Sequence, residues 1–257
     1  MKDLIKIDSL NYLDIFNNLS LNIKEGDYLC ISGPNNCGKT TLIRILDNQI
    51  DIEFPIYIDN KKISDYKIND YNRIVQTIIP LEISFKELTL EEELLQQKND
   101  NSKLYTYIIK SLKLSKLITK KIKDLTEKEI VMAQLIIGLL NEPKILLIDS
   151  LDSFFKKEEL INLHKFIKDI KNKLGITIIE TTTNLDNSIY ASSLVIIANG
   201  HIELEGEPLV ILEKDNIINK IGLRLPFMVD LSVKLKDYDL IDKIELDKDR
   251  MVDNLWK

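Results

Sequence analysis

A nine-residue stretch, GPNNCGKTT at residues 33–41, constrains the fold of this chain more than any other part of the sequence. It matches the pattern G-x-x-x-x-G-K-[ST] and lies between a strand-like run, DYLCIS, and a helical run, TLIRIL. Gly33 and Gly38 let the backbone wrap so that successive N–H groups point at phosphate oxygens. The following helix adds the positive end of its dipole. The sequence therefore predicts a phosphate-binding loop, and a chance match to the pattern is the alternative.

The two residues that close this loop have separate expected roles. Lys39 supplies a point charge to the β and γ phosphates of a nucleotide, and the Thr40 hydroxyl is placed to bind Mg²⁺. A carboxylate at the end of a buried strand is also needed, to hold the magnesium through water. Asp149 ends the run KILLID at 144–149 and is the candidate, with capping of the next turn as its alternative role. The loop residues expected to bind nucleotide are Gly33, Pro34, Asn35, Asn36, Cys37, Gly38, Lys39, Thr40 and Thr41.

Composition excludes several classes of protein. The chain has 35 Lys and Arg against 41 Asp and Glu, a net charge of −6, and a surface of that kind binds nucleic acid poorly. Its two cysteines, Cys30 and Cys37, cannot form a disulfide framework, which favours a reduced compartment. No run reaches 18 apolar residues, and the start MKDLIKIDSL lacks the apolar core of a signal peptide. We therefore expect neither a secreted, a fibrous nor an integral membrane protein.

Strand-like and helical runs alternate along most of the chain. The helical stretch 157–173 has an apolar stripe at three- to four-residue spacing. This alternation predicts an α/β fold with crossover connections. The stretch 89–140 reads as helices only and so predicts a helical insertion, and the chain from Pro208 onward reads as amphipathic helix. The strand-like runs are DYLCIS at 27–32, FPIYI at 54–58, KILLID at 144–149, ITIIET at 176–181 and SLVIIA at 193–198.

Taken in order, these features resemble the ATPase subunits of ABC transporters. Tyr12 lies where that family has an aromatic residue stacked on adenine, and Gln76 in RIVQT lies where it has its glutamine loop. LTEKE at 125–129 falls at the signature position, before a helix, and Asp149 falls at the Walker B position. The segment from Ile221 onward is similar to the C-terminal region of the energy-coupling factor (ECF) ATPases. Proteins of that family import vitamins and metal ions in bacteria.

The resemblance implies a fold and a set of ligands. It implies a P-loop NTPase fold of the ABC type, with a RecA-like core in an ATP-binding domain at 1–207 and a helical subdomain at about 89–140. A helical ECF-type C-terminal extension would occupy 208–257. The implied cofactors are ATP and Mg²⁺, with the metal held by Thr40, Gln76 and Asp149.

The resemblance also implies partners and a location. Two such subunits form a head-to-tail dimer, in which each ATP lies between the P-loop of one and the signature of the other. A heterodimer with an intact paralogue is favoured. The helical insertion, with Gln76 at its hinge, would dock onto a transmembrane coupling protein that pairs with a substrate-binding membrane protein. The expected location is cytoplasmic and peripheral, on the inner face of the bacterial cell membrane, with membrane contact only through proteins.

The chain departs from the family pattern at the positions that serve hydrolysis. Ser150 stands where the family has its catalytic glutamate, and Thr183 stands where it has the switch histidine. Asn36 replaces a glycine of many P-loops, and the Leu-Asp pair of the following loop is replaced by Phe155 and Lys156. In place of the signature LSGGQ the chain has Leu125, Thr126, Glu127, Lys128 and Glu129. The expectation is a degenerate subunit that binds ATP and hydrolyses it poorly or not at all.

Several alternatives stay open at this point. A nucleotide-binding scaffold or regulator without turnover needs the same residues, and so does an ABC ATPase unconnected to transport. Asp152 or Glu180 would compensate for the missing glutamate, unless each is a structural carboxylate. The remaining residues that attract attention are expected to be structural or surface residues: His164, His201, Cys37 as a small residue facing the nucleotide rather than a redox sensor, and Trp256 as a packing residue.

Overall fold

The computed structural model describes residues 2–96 and 102–256. Its strands form two sheets, and its helices lie between and after them. The strands are β1 (Asp3–Tyr12), β2 (Phe16–Lys24), β3 (Tyr28–Ser32), β4 (Ile56–Ile58), β5 (Lys61–Lys62), β6 (Val75–Ile78), β7 (Ile145–Asp149), β8 (Thr177–Thr182), β9 (Ser193–Ala198) and β10 (His201–Gly206). The helices are α1 (Lys39–Leu46), α2 (Ile68–Ile74), α3 (Leu90–Gln96), α4 (Ser102–Ser111), α5 (Glu127–Leu140), α6 (Lys157–Leu174), α7 (Pro208–Leu212), α8 (Asp215–Lys220), α9 (Phe227–Asp237) and α10 (Lys248–Leu255).

The larger sheet positions the phosphate-binding loop. Its strand order is β10-β9-β3-β8-β7-β6, and all neighbours pair in parallel except β10, which is antiparallel to β9. Every residue of β3, β7 and β8 is buried, as expected of strands covered on both faces. The predicted α/β fold is therefore confirmed. Because the strands are parallel, β3, β8 and β7 all end at the same edge of the sheet.

The smaller sheet is antiparallel, with the order β2-β1-β4-β5. It contains FPIYI, which the sequence identified as a strand but whose separate sheet it did not predict. Strands β1 and β2 were not predicted at all. In β2 the buried residues are Phe16, Leu19, Leu21 and Ile23, and the last three alternate with exposed residues. That alternation is the signal that identifies a half-buried strand.

The helical regions follow the sequence pattern closely. The predicted stripe of α6 is buried at Leu160, Leu163, Ile167 and Ile170, and the helix ends at Gly175 in the left-handed conformation. Within 89–140 the described residues form α3, α4 and α5, while residues 97–101 lie outside the described part. A single antiparallel bridge, Thr89 to Lys121, joins two loops there. Helix α5 packs directly on strand β6, so this segment is anchored on the core.

The chain after Pro208 forms α7 to α10, as the amphipathic pattern predicted. Leu212, Ile218 and Val229 are buried and extend the core beside β9. The expectation that Trp256 packs is wrong, because its side chain is 86% exposed. Among the residues described, no helix combines the length and the apolar character that a membrane span requires.

Candidate nucleotide-binding site

The loop between β3 and α1 needs both of its glycines. A Cβ atom on Gly33 would lie 2.1 Å from the carbonyl oxygen of Ile197. Gly38 has a φ of +98°, and a Cβ there would lie 2.5 Å from a side-chain carbon of Ile15 and 2.8 Å from the ring of Phe16. The backbone of the loop is thus packed against β9 on one side and the β1–β2 hairpin on the other. Any other residue would push the loop outward.

Lys39 begins α1, and its ammonium group is held inside the loop. Nζ donates hydrogen bonds to the carbonyl oxygens of Gly33 and Pro34, both at 2.8 Å, and lies 3.6 Å from Sγ of Cys37. The residue is only 7% exposed. The loop therefore carries one fixed positive charge at its centre, which suits it to binding an anion.

Oxygen ligands suited to magnesium meet at the carboxyl ends of the strands. The hydroxyl of Thr40 donates to Oδ2 of Asp149 at 2.7 Å, and the hydroxyl of Thr181 donates to Oδ1. Ser150 donates to the same Oδ1 at 3.3 Å. Because β8 lies between β3 and β7, Thr181 bridges the loop strand and the strand that ends at Asp149. Hydroxyl and carboxylate oxygens are ligands that Mg²⁺ accepts.

A cavity of about 410 Å³ lies beside the loop. Its lining joins the P-loop to two of the positions that depart from the ABC pattern, Ser150 and Thr183. We call it the P-loop cavity, and its lining residues are Ile15, Asn35, Asn36, Gly38, Lys39, Thr40, Thr41, Ser150 and Thr183. A larger cavity of about 590 Å³ lies between α4, α5 and α6 and contains no P-loop residue.

The P-loop cavity is lined by a residue of the β1–β2 hairpin that the sequence reasoning missed. Tyr12 ends β1, is half-buried and packs against the core, and it is not part of the lining. Ile15, three residues later, lines the cavity instead. Its backbone N–H donates to the carbonyl of Tyr12 at 3.0 Å, which closes the hairpin and sets Ile15 above Gly38. The sequence shows an aromatic residue at the right place but not how tightly the hairpin turns.

The backbone register places Gln76 away from the level of Asp149, and its expected role as a metal ligand stays a prediction. Gln76 is paired with Leu146 in the register of β6 and β7, three residues before Asp149. At about 3.3 Å per residue, three residues separate the two levels by about 10 Å. Its amide also has other partners, because Oε1 accepts from Asn141 at 3.0 Å and Nε2 donates to the carbonyl of Asn72.

Neither nearby carboxylate is free to replace the glutamate missing at Ser150. Asp152 accepts hydrogen bonds from Thr182 and Asn187, and burial raises its pKa. Glu180 is 1% exposed and accepts hydrogen bonds from two other buried side chains. Neither carboxylate lines the P-loop cavity. The group at position 150 is a hydroxyl on a residue in the left-handed conformation (φ 45°), and a hydroxyl does not accept a proton from water at neutral pH.

Helix α5 begins at the signature position, and side chains of that segment already cap its N-terminal N–H groups. Thr126 is the N-cap and accepts from the backbone N–H of Glu129, while the carboxylate of Glu129 accepts from the N–H of Thr126. Lys120 lies 2.6 Å from the same carboxylate and is the main cause of its lowered pKa. Lys128 pairs with Glu159 at 2.8 Å. A negative carboxylate therefore occupies the end of the helix that would otherwise attract a phosphate.

The remaining candidates have structural surroundings. His164 and Cys30 are buried, and His201 is exposed at the start of β10. Cys37 is half-buried in the loop. Phe155 lines the larger cavity and Lys156 caps α6. Within residues 2–96 and 102–256, no group of three or more His, Cys, Asp or Glu side chains is arranged to hold a metal ion.

A phosphate-binding loop after a central strand, with an acidic residue ending a strand of the same parallel sheet, defines a P-loop nucleotide-binding protein. Comparison with protein-family models narrows the class. The model described as ABC transporter matches residues 16–152, more than half of the chain. The chain belongs to the ABC transporter family and contains the ATP-binding domain of that family.

The individual relatives are ATP-binding proteins of more than one kind of transporter. The energy-coupling factor transporter ATP-binding protein EcfA1 of Ligilactobacillus salivarius (strain UCC118) is 27% identical over 277 residues, covering 98% of this chain and 95% of that protein. The spermidine/putrescine import ATP-binding protein PotA of Clostridium novyi (strain NT) is 31% identical over 214 residues. That alignment covers 77% of this chain and only 59% of PotA.

The fold matches a solved structure of the same class. CbiO1 from Clostridium perfringens, described as part of the ABC transporter complex cbiONQ, superposes with a TM-score of 0.73 at 23% identity. The match covers 90% of this chain and 99% of CbiO1. The predicted ABC-type fold is therefore confirmed.

Proposed function

We propose that this chain is an ATP-binding subunit of an ECF-type ABC importer, for a vitamin or a metal ion, which binds ATP and hydrolyses it poorly or not at all. The observation that carries this proposal is the lining of the P-loop cavity. One side of the cavity has Lys39, which carries a positive charge, and Thr40, whose hydroxyl would bind Mg²⁺. The other side has Ser150 and Thr183. The cavity is equipped for binding phosphate and lacks a proton acceptor for the attacking water.

The binding half of the site would hold Mg·ATP through contacts that already exist. Lys39 would exchange the carbonyls of Gly33 and Pro34 for phosphate oxygens. Thr40 and Asp149, joined by a hydrogen bond, would bind the Mg²⁺ directly and through water. The metal neutralises phosphate charge. Ile15 would lie against the nucleotide, next to the half-buried ring of Tyr12.

The hydrolytic half has lost groups that act together. Ser150 replaces the general base, whose loss typically costs about 10²–10⁴ in rate. Thr183 supplies a hydroxyl where the family has an imidazole. At the signature position, Glu127 and Lys128 replace the two glycines that allow close approach to a partner's nucleotide, and the capping contact between Thr126 and Glu129 flanks them. These defects support pairing with an intact paralogue rather than with a second copy.

Docking to membrane partners is supported by exposed apolar side chains near the helical subdomain. Leu81 is 41% exposed and Leu88 is 81% exposed, and both lie in the segment between β6 and α3. Under this proposal, that segment contacts a transmembrane coupling protein that pairs with a substrate-binding membrane protein. The chain would be cytoplasmic and peripheral, at the inner face of a bacterial cell membrane.

The ECF assignment is supported by the length of the match. EcfA1 aligns over nearly the whole of both chains, including the part after Pro208, which the ECF-type extension at 208–257 would explain. PotA extends well beyond the alignment. A scaffold or regulator that binds ATP without turnover is the second candidate, and the neutral side chains of Ser150 and Thr183 favour it equally.

The test of nucleotide binding is titration of the purified protein with a fluorescent ATP analogue in the presence of Mg²⁺. We expect binding by the wild type and strong loss of affinity in Lys39→Ala, because the only charge at the centre of the described loop is removed. Lys248→Ala is the matched control, since that lysine is exposed on α10. Equal affinity of Lys39→Ala and wild type would refute nucleotide binding at this loop.

A further inference from the structure

Three polar side chains from separate elements meet beneath the end of β8. His164 on α6 lies with Nε2 2.7 Å from Oε1 of Glu180 on β8, and its Nδ1 lies 2.8 Å from the carbonyl oxygen of Leu160. The hydroxyl of Tyr28 on β3 donates to the other oxygen, Oε2, of Glu180. His164 is 0% exposed and Glu180 is 1% exposed. We call Tyr28, His164 and Glu180 the buried triad.

The geometry fixes where protons can be. A carbonyl oxygen only accepts hydrogen bonds, so Nδ1 of His164 carries a proton that it donates to Leu160. One further proton must lie between Nε2 and Glu180, because two acceptors at 2.7 Å do not form a hydrogen bond. Tyr28 already donates to Glu180, which stabilises the negative form of that carboxylate. Two arrangements satisfy all three groups: an imidazolium beside a carboxylate, and a neutral imidazole beside a carboxylic acid. The hydrogen bond that Tyr28 donates favours the first.

The other groups around the imidazole are consistent with that charge. Burial by itself would lower the pKa of His164, but the negative charge of Glu180 and the hydrogen bonds outweigh it and raise the pKa. Asp152, in the turn after β7, adds negative charge. Burial raises the pKa of Tyr28 and Cys30 well above their usual values, so both β3 groups stay protonated and neutral. The ring of Tyr190 stacks on the imidazole at 5.5 Å, and burial raises its pKa also.

The buried triad is next to the residues that hold the magnesium-binding carboxylate. Thr181 follows Glu180, donates to Asp149, and its backbone carbonyl accepts from the N–H of Ser150 at 3.0 Å. Thr182 donates to Asp152. Glu180 is held by Tyr28 on β3 and by His164 on α6. These contacts fix the end of β8 and so keep Thr181 in one position next to Asp149.

We propose that His164 and Glu180 form a buried ion pair, held by Tyr28, which positions the end of β8 at the P-loop cavity as long as His164 keeps both protons. His164 and Glu180 are positioning residues in this scheme, since neither contacts the cavity. The consequence for ATP affinity rests on the proposed function, whereas the ion pair and the position of β8 do not.

The pH dependence follows from the direction of the shift. Because the pKa of His164 is raised in the folded protein, the ion pair contributes its full stability below the ordinary imidazole value of about 6.5. That contribution is lost as the pH rises through the raised pKa. Removing one partner leaves an unpaired buried group, which typically raises the unfolding equilibrium constant by about 10²–10⁴-fold. Replacing both with apolar residues removes the penalty and also the pH dependence.

The decisive measurement is the nitrogen and proton NMR spectrum of the two imidazole rings. The chain has two histidines, so the signals that disappear in His201→Asn belong to His201 and the remaining ones belong to His164. In the wild type, the exposed His201 serves as an internal reference. We expect His164 to show two slowly exchanging N–H protons at neutral pH. A singly protonated His164 ring at neutral pH would overturn the ion pair.

Position is measured separately, by hydrogen exchange at the amide of Ser150, in wild type, Glu180→Gln and the double variant His164→Leu/Glu180→Leu. We expect a lower protection factor at Ser150, taken against the intrinsic exchange rate at each pH, and weaker Mg·ATP binding in Glu180→Gln. We expect the same two changes in wild type as the pH rises, but no such pH trend in the double variant. Unchanged Ser150 exchange in Glu180→Gln would refute the positioning role. If wild type binds no Mg·ATP at any pH, the proposed function fails, while the NMR spectrum and the Ser150 exchange still decide the inference.

Discussion

Replacing Ser150 with glutamate restores the missing general base without other repair, and we expect it to recover little ATPase activity. The backbone at 150 is already left-handed in the native serine, and both residues have a Cβ, so the conformation adds no new strain. The change loses one hydrogen bond to Asp149, worth about 1 kcal/mol. A base that was the sole defect would return about 10²–10⁴ in rate. At 1.36 kcal/mol per tenfold, that is about 3–5 kcal/mol of the barrier, far more than the lost bond.

We nevertheless expect a gain below about tenfold, because residues that act as a unit are strongly non-additive. Thr183 leaves the cavity without an imidazole, and the N-terminus of α5 is closed by Glu129. Activity should appear only when Ser150→Glu is combined with Thr183→His and with replacement of LTEKE by LSGGQ. In a heterodimer, the LSGGQ replacement alone should raise hydrolysis at the site of an intact partner.

The assay is steady-state phosphate release by the purified chain, with each variant repeated on a Lys39→Ala background to subtract contaminating ATPase. Ser150→Gln is the matched control, because it has the size of glutamate and no proton-accepting carboxylate. A gain of about a hundredfold or more in Ser150→Glu over Ser150→Gln, without the other changes, would refute the reasoning, since it is within the range of a single base.

Two further predictions concern binding and assembly. Gln76→Leu should leave Mg·ATP affinity unchanged, because the amide of Gln76 bonds to Asn141 rather than to the site, whereas Thr40→Val should weaken it. The same titration measures both variants, and a large loss of affinity in Gln76→Leu would support Gln76 as a metal ligand. The chain should sediment with membranes when it is expressed with a coupling protein and an intact paralogue. Expressed alone it should not, since the described residues contain no spanning helix. Membrane binding by the chain alone would contradict docking through proteins.

The phosphate loop and the parallel sheet could be read from the sequence because their signals are local. Continuous apolar runs such as KILLID are diagnostic of strands covered on both faces, and the loop motif needs only the strand and helix beside it. These two signals together also placed Asp149 and Thr40 at one edge of the sheet, where a hydrogen bond joins them.

The sequence was least informative where a position along the chain had to be converted into a position in space. Gln76 in RIVQT was matched to the glutamine loop of the family by its place along the chain, and in the structure it is the second residue of β6, paired with Leu146. Tyr12 was chosen by residue type, whereas the tight hairpin after it brings Ile15 over Gly38. Register and turn geometry depend on pairing partners that the local sequence does not specify.

The pairing of buried polar residues could not be read from either sequence element taken alone. His164 interrupts an apolar helix stripe, and Glu180 interrupts an apolar strand, yet each looked unremarkable alone. Only the crossing of α6 and β8 brings them within 2.7 Å. A lone polar residue in each of two neighbouring apolar elements is the signal that would have found them, since buried polar groups need a partner.

Under the proposed function, the difference between binding and turnover determines what this subunit contributes to transport. Lys39, Thr40 and Asp149 are already held at the loop, and on binding they would replace hydrogen bonds within the protein by contacts to phosphate and Mg²⁺. The two hydroxyls at 150 and 183 give no route for a proton to leave the attacking water. A bound ATP can then leave only by dissociation, and a ligand shifts a conformational equilibrium only by its differential affinity for the two states. The nucleotide here would favour the closed dimer, while the partner's site resets it by hydrolysis.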